Sequence, residues 1–363
     1  MGNRPSSSTA LNPDAPPPLL SAAVTGNADA FTSLWNDEGN TNRLCLDRQD
    51  NNVLHALFSC RTPSGKPNEI LKLIHNTLST PELEGAYQAR NQLGCNPLWI
   101  LIAYGNVELL KQVVDTVKDD SSLRSKIPKL VVQPNYQGDT PILATCSQGN
   151  TDMIKFLSTS GLLSAEQFEA LLKQGNQKGT TPLQIVVANG HEELLQFLLH
   201  EQHHIIKDQL WHVNATGLSL FHICSERNFA AGLESLLDDA LLHDRDALKN
   251  ILALTDKNGA NSLHVACFCG NAEIVQVWVD RIIAVQGESG INFLDLTDSQ
   301  GRTAYWIAMI QSHEETIGKV LAKAGVATDK PEKMIQEIQQ ARERRVAKQQ
   351  TKPAVDGNAL LRR

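Results

Sequence analysis

The sequence predicts an all-α solenoid of about eight helix–turn–helix repeats with a C-terminal helical tail, and three observations carry that prediction. First, seven segments align: DNNVLHAL from Asp50, GCNPLWILIAYGNVELL from Gly94, GDTPILATCSQGNTDMI from Gly138, GTTPLQIVVANGHEELL from Gly179, GLSLFHICSERNFAAGL from Gly217, GANSLHVACFCGNAEIV from Gly259 and GRTAYWIAMIQSHEETI from Gly301. Second, their equivalent apolar residues Leu54, Leu98, Ile142, Leu183, Phe221, Leu263 and Tyr305 recur at gaps of 44, 44, 41, 38, 42 and 42. Third, a degenerate copy, LLSAAVTGNADAFTSLW from Leu19, leads the set. A two-helix unit has too little core to fold alone, so such units must stack and stabilise their neighbours.

The elements follow in order. Residues 1–17, with Pro5, Pro13, Pro16 and Pro17, read as a disordered N-terminal segment. The array runs over 18–326. In each copy a glycine, where present, allows a positive φ in a tight turn. A Thr or Ser then opens a short helix, with Pro97, Pro141 and Pro182 at its first position. That helix ends at Gly105-Asn106, Gly149-Asn150, Gly190-His191 or Gly270-Asn271, a left-handed cap that reverses the chain. A second helix follows with apolar pairs such as Leu194/Leu195 and Leu198/Leu199. Extra residues fall after it, as in Ser158 to Asn176, His200 to Asn214 and Asp238 to Asp256. Residues 327–363 read as a C-terminal helix and basic tail, with Met334, Ile335, Ile338 and Ala341 as a thin apolar stripe that caps the last repeat.

This pattern resembles the ankyrin repeat over roughly 18–326, and the T-P-L-H-x-A signature is best kept in NSLHVAC and TTPLQIV. The departure is length, since the gaps exceed the usual period of about 33 residues. A HEAT-type array has a comparable period but does not explain the turn recurring ahead of each first helix. The resemblance implies a non-enzymatic protein–protein interaction scaffold, monomeric and without a cofactor. It implies that His55, His222 and His264, all at the L-H position, bond neighbouring backbone and tie turns together. It also places the first helices on an inner curve. By register, the partner-binding ribbon is then Tyr104, Gln148, Asn189, Arg227, Phe268 and Gln311, flanked by Ala103, Ser147, Ala188, Glu226 and Ile310. Aromatic and Arg anchors with amides between them suit a protein interface. The long irregular repeats and the basic tail with Leu361 near its end also look like ankyrin effectors of intracellular bacteria, which are delivered into a host cell and bind host proteins there.

Composition narrows the alternatives. Net charge is −7, which argues against general nucleic-acid binding, although eight Lys/Arg against four acids make 331–363 basic. The seven cysteines are an odd number, scattered through apolar segments, which favours reduced thiols and a cytoplasmic setting. No apolar run approaches a membrane span, and no secretory signal is visible at the N-terminus. Met1-Gly2-Asn3-Arg4-Pro5-Ser6 fits the N-myristoylation pattern, which marks Gly2 as a lipidation site and opens the reading of a membrane-tethered adaptor.

One stretch raises a catalytic alternative. His200-Glu201-Gln202-His203-His204 matches H-E-x-x-H, which sets two zinc ligands one helical turn apart around a general base. Zinc requires that helix to continue through His204, and no Gly or Pro interrupts Glu201 to Trp211. The repeat register makes Asp238 the next-repeat equivalent of His200, a conceivable third ligand. Stacked helix pairs offer no cleft for a peptide, so a His-rich helix end is the better account, with no metal site assigned. A cysteine hydrolase is the other catalytic alternative, without a local signature. Cys267-Phe268-Cys269 lacks the second Cys pair that a zinc site needs.

Overall fold

The computed structural model describes residues 16–37, 43–61, 65–244, 246–286 and 294–324, together with Gln340. Gly2, most of the N-terminal segment and the C-terminal helix and basic tail lie outside the described residues. Those residues form 21 α-helices and one 3-10 turn, with no strand among them beyond an isolated Thr297–Thr303 bridge. The chain divides into two compact units, Met1–Pro182 and Leu183–Arg363.

In the first unit, α1 (Pro18–Thr25) and α2 (Ala28–Asn36) are followed by three helical triplets. These are α3 (Val53–Phe58), α4 (Pro67–Thr77) and α5 (Thr80–Gln88); α6 (Pro97–Tyr104), α7 (Val107–Val117) and α8 (Ser121–Leu130); and α9 (Pro141–Gln148), α10 (Thr151–Thr159) and α11 (Ala165–Lys173). First helices pack on first helices (α1 on α3, α3 on α6, α6 on α9), and second helices do the same (α2 on α4, α4 on α7, α7 on α10). The third helices are the extra residues, and they account for the long period. Helix α5 packs on α8 as a further tier.

The second unit takes up α12 (Pro182–Ala188), which the boundary cuts after its first residue. Next come α13 (Glu192–Glu201), α14 (His203–Ile206) and the 3-10 turn Lys207–Trp211. They are followed by α15 (Leu220–Arg227), α16 (Ala230–His243), α17 (Ala247–Ala253), α18 (Ser262–Cys269), α19 (Ala272–Gln286), α20 (Ala304–Ile310) and α21 (Ile317–Lys323). Packing repeats the same rule, with α15 on α18, α18 on α20, α13 on α16, α16 on α19 and α19 on α21.

Helix α6 shows why these residues form these elements. Asn96 caps it, its side chain accepting the Trp99 N–H at 2.8 Å, and Pro97 follows where a missing N–H costs nothing. Leu98, Leu101 and Ile102, at helical spacing, are buried. Gly105, at φ 74°, then ends the helix in the left-handed region. Where glycine is absent from this cap, Asn228 and Ser312 adopt the same conformation at φ 56° and 68°.

The turn ahead of each first helix is more uniform than its sequence suggests. Asp47, Asn91, Asn135, Asn176, Asn214, Asp256 and Asp298 each accept two backbone N–H groups, from the second and fourth residues after them. Three residues after each stands the positive φ: Asp50 in the first copy, at 61°, and glycine in the other six. These turns are laddered from copy to copy by backbone bonds such as Gln92 N–H to Gln49 O (2.9 Å) and Tyr136 N–H to Leu93 O (3.0 Å).

Glycine has two separable reasons to stand in this turn. Gly301 and Gly259 share φ 71°, but a Cβ on Gly301 would meet nothing within 4 Å, whereas one on Gly259 would lie 2.7 Å from the Ser299 backbone nitrogen. Valine at Gly301 should therefore cost only the backbone strain, roughly 1–2 kcal/mol. Valine at Gly259 should cost at least about 1 kcal/mol more, because it also pushes apart two neighbouring turns. Denaturant titration of the two variants checks this, and equal losses would mean the turn ladder contributes nothing.

Candidate protein-binding face

At the ends of α6, α9, α12 and α15 the residue directly ahead of the left-handed cap faces solvent. In α18 that position is Cys269, and Phe268 precedes it by one residue, a departure from the expected register. In the first unit Tyr104 and Gln148 are exposed there, with Ala103 and Ser147 half-buried beside them. In the second unit Asn189, Arg227 and Phe268 are exposed and Gln311 is half-buried. Tyr104 is 41% exposed and Phe268 57%, so neither ring is consumed by packing inside its own unit. The Arg61 guanidinium lies 4.1 Å from the centroid of the Tyr104 ring, within cation–π range. That partner holds the ring in one orientation while leaving much of it open.

The spacing of these positions is fixed by asparagines that do more than follow the chain reversal. Asn150 caps α10 through its side-chain oxygen and donates from Nδ2 to Gly105 O, 3.3 Å away in the preceding repeat. Asn271 likewise donates to Ser225 O at 2.7 Å. Each therefore ties the start of one second helix to the end of the previous first helix. Another exposed apolar pair, Leu93 and Tyr136, sits at adjacent turn tips outside the ribbon. Its signal lay in the middle two positions of the N-x-x-G turn, where the other copies carry small, polar or charged side chains.

The histidines at the L-H position are buried and bridge repeats. Nε2 of His55, His222 and His264 donates to the carbonyls of Cys95, Ala260 and Arg302 at 2.9, 3.0 and 3.1 Å. Burial lowers the pKa of all three, and the accepting carbonyl offsets this only in part. Two further copies make the same bridge with other N–H donors. Trp99 Nε1 donates to Asp139 O (2.9 Å), and Gln184 Nε2 to Leu218 O (3.3 Å).

The HEQHH stretch does not form the continuous helix that zinc ligation through His204 requires. Helix α13 ends at Glu201, the chain bends at Gln202 (φ −121°, ψ 19°), and α14 starts at His203. His200 and His204 thus do not share a helix face. His200 meets Gln196 in its own helix (3.0 Å), and Asp238 pairs not with His200 but with Arg281 (2.7 Å). A histidine of this stretch does pair across repeats with an aspartate, but it is His203 with Asp239, at 3.0 Å. No three His, Cys, Asp or Glu side chains among the described residues converge on a metal-sized site.

Cys95, Cys146, Cys224, Cys267 and Cys269 are shifted away from the thiolate form. Burial pushes the thiols of Cys95 and Cys146 up to about 11 and about 12, and those of Cys224 and Cys267 higher still. Exposed Cys269 is also shifted upward, first by burial and then by Glu226. An activated cysteine needs the opposite shift.

A family model described as ankyrin repeats (3 copies) matches residues 122–208. Among solved structures, the ankyrin repeat domain of Bcl-3, described as a unique member of the IkappaB protein family, is similar at TM-score 0.49 and 15% identity, with 85% of this chain and 99% of that chain covered. No curated protein matches the sequence. With the helix pairs, caps and turns described above, the match over 122–208 defines the class: an all-α, ankyrin-like solenoid. No helix among the described residues is long and apolar enough to cross a membrane.

Proposed function

We propose that this protein is a non-enzymatic scaffold that binds a protein partner through the ends of its first helices. The observation that supports this most is the exposure of Tyr104 in the first unit and Arg227 in the second, each directly ahead of a left-handed cap, with the exposed Phe268 one residue earlier in its own helix. Such side chains supply most of the energy at protein interfaces, and the Arg61 contact reduces the entropy that Tyr104 would lose on binding. The partner is to be captured from a cell lysate and its affinity measured against variants. Tyr104→Ala alone, and Arg227→Ala with Phe268→Ala, should leave the fold intact. Each set should weaken binding by roughly 2 kcal/mol or more, about 30-fold. If both sets bind like wild type while substitutions in the Ser158–Asn176 or His200–Asn214 segments abolish binding, recognition belongs to the third-helix segments instead.

Two narrower readings rest on sequence alone. The basic tail and irregular repeats support an effector that acts on a host protein, which a translocation assay with the tail deleted tests. The Met1-Gly2 pattern supports a membrane-tethered form. A labelled myristate analogue should mark the wild type, with the label lost in Gly2→Ala, and the tail's cations acting as a second membrane signal.

A further inference from the structure

Within the second unit, the segment following α13 leans against α16 and α17 and leaves an open cavity of about 730 Å3. That volume falls in the range of small-ligand sites. Its charge is lopsided: Asp208, Asp239 and Asp244 line it against the single ammonium of Lys207. Backbone electrostatics act in the same direction. Helix α16 ends at His243 with Asp244 as its cap, and α17 ends at Ala253 with Leu254 as its cap, and both capping residues line the cavity. Two helix C-termini therefore add their partial negative charge to the same space.

The carboxylates are not interchangeable. Asp239 is held by His203 at 3.0 Å, and Asp244 Oδ1 accepts the Asp246 N–H at 2.9 Å. Asp208 is exposed on the 3-10 turn, and its carboxylate makes no hydrogen bond or ion pair with the described residues. Three carboxylates so dispersed do not form a metal cage. They suit a charge carried on a larger organic body, and Trp211 supplies an aromatic wall against which such a body can lie.

We propose that this cavity binds an organic cation, an alkylammonium or guanidinium group on a short apolar chain, with Asp208 facing the charge and Trp211 the chain. Such a group can come from a free amine or from a lysine or arginine side chain of a partner. Agmatine, which carries both cationic groups, and a capped Gly-Arg-Gly peptide separate the two sources, with glutarate as the anionic control. Titration of the full chain by calorimetry should give a Kd below about 1 mM for at least one of the two cations, and none for glutarate. Asp208→Asn and Trp211→Leu should each weaken that binding about tenfold or more, and added salt should weaken it further. Binding of agmatine alone identifies a free amine, and binding of the peptide alone identifies a partner's side chain. Where Trp211→Leu fails to fold, Asp208→Asn and Asp208→Lys, judged by an unchanged melting temperature, carry the test. The proposal is overturned if neither cation binds, if glutarate binds as well as they do, or if the folded Asp208 variants bind like wild type.

Discussion

His222→Ala should lower the unfolding free energy by about 3 kcal/mol, more than any surface substitution in the array. The side chain is fully buried between two repeats. Its Nδ1 accepts from the Ser219 hydroxyl (2.7 Å) and backbone N–H (3.3 Å), closing the cap of α15, and its Nε2–H reaches Ala260 O, 38 residues further on. Truncation removes the ring from a packed interior and leaves the Ser219 N–H without an acceptor. Ala260 O keeps a second bond, from the Asp256 N–H of its own turn, so it is not stranded, and this limits the loss. His222→Gln should recover part of it, because Gln184 makes the equivalent bridge to Leu218 O. Denaturant titration decides the matter, and a loss under about 1 kcal/mol would mean the bridge does not couple the two repeats.

That bridge also marks how far the sequence could be read. The period, the first and second helices and the left-handed caps were legible because each depends on local chemistry: a cap residue, an apolar stripe, a glycine. The L-H histidines were legible through their resemblance to a known pattern, but Trp99 and Gln184 were not, since neither looks like histidine as a letter. What the position requires is an N–H at the right reach, and indole and carboxamide both provide one. The asparagine or aspartate three residues before each positive φ carries as much of the turn as the glycine does, because its side chain accepts two backbone N–H groups. As a single polar letter it is less conspicuous in the sequence. The bend at Gln202 was not legible, because no Gly or Pro marks it. Ile205 and Ile206, buried after it, show that packing of the following turn, not local propensity, sets the break. Five of the six ribbon positions follow from register alone, Phe268 standing one residue early, whereas the Arg61 stack on Tyr104 joins residues 43 apart and depends on the packing of α3 on α6.

The buried imidazoles give the array a pH dependence whose sign is fixed. His75 sits against the Tyr87 hydroxyl (2.9 Å), and burial lowers its pKa from 6.5 to about 4. His55, His222 and His264 are shifted in the same direction by the same cause. Above the ordinary histidine pKa all four are neutral in both folded and unfolded chains, and they contribute no slope. As pH falls below about 6.5, the unfolded chain takes up protons that the folded chain refuses, so acidification favours unfolding. For His75 the effect continues down to about 4, where the folded ring protonates too. A shift of that size corresponds to roughly 2–3 kcal/mol after allowance for the ring's partial exposure, and the other three add to it. The carboxylates of Glu84 and Asp120, held low by hydrogen bonds from Lys126 and from the Leu123 backbone N–H respectively, act in the same sense at lower pH. The melting temperature should therefore fall steadily between about pH 6.5 and about pH 4.5, before most carboxylates titrate. His75→Gln, which keeps a hydrogen-bond acceptor for Tyr87 but cannot take a proton, should flatten that fall. A melting temperature that stays level across this interval, or a His75→Gln variant with an unchanged slope, would show that these rings are not held neutral by burial.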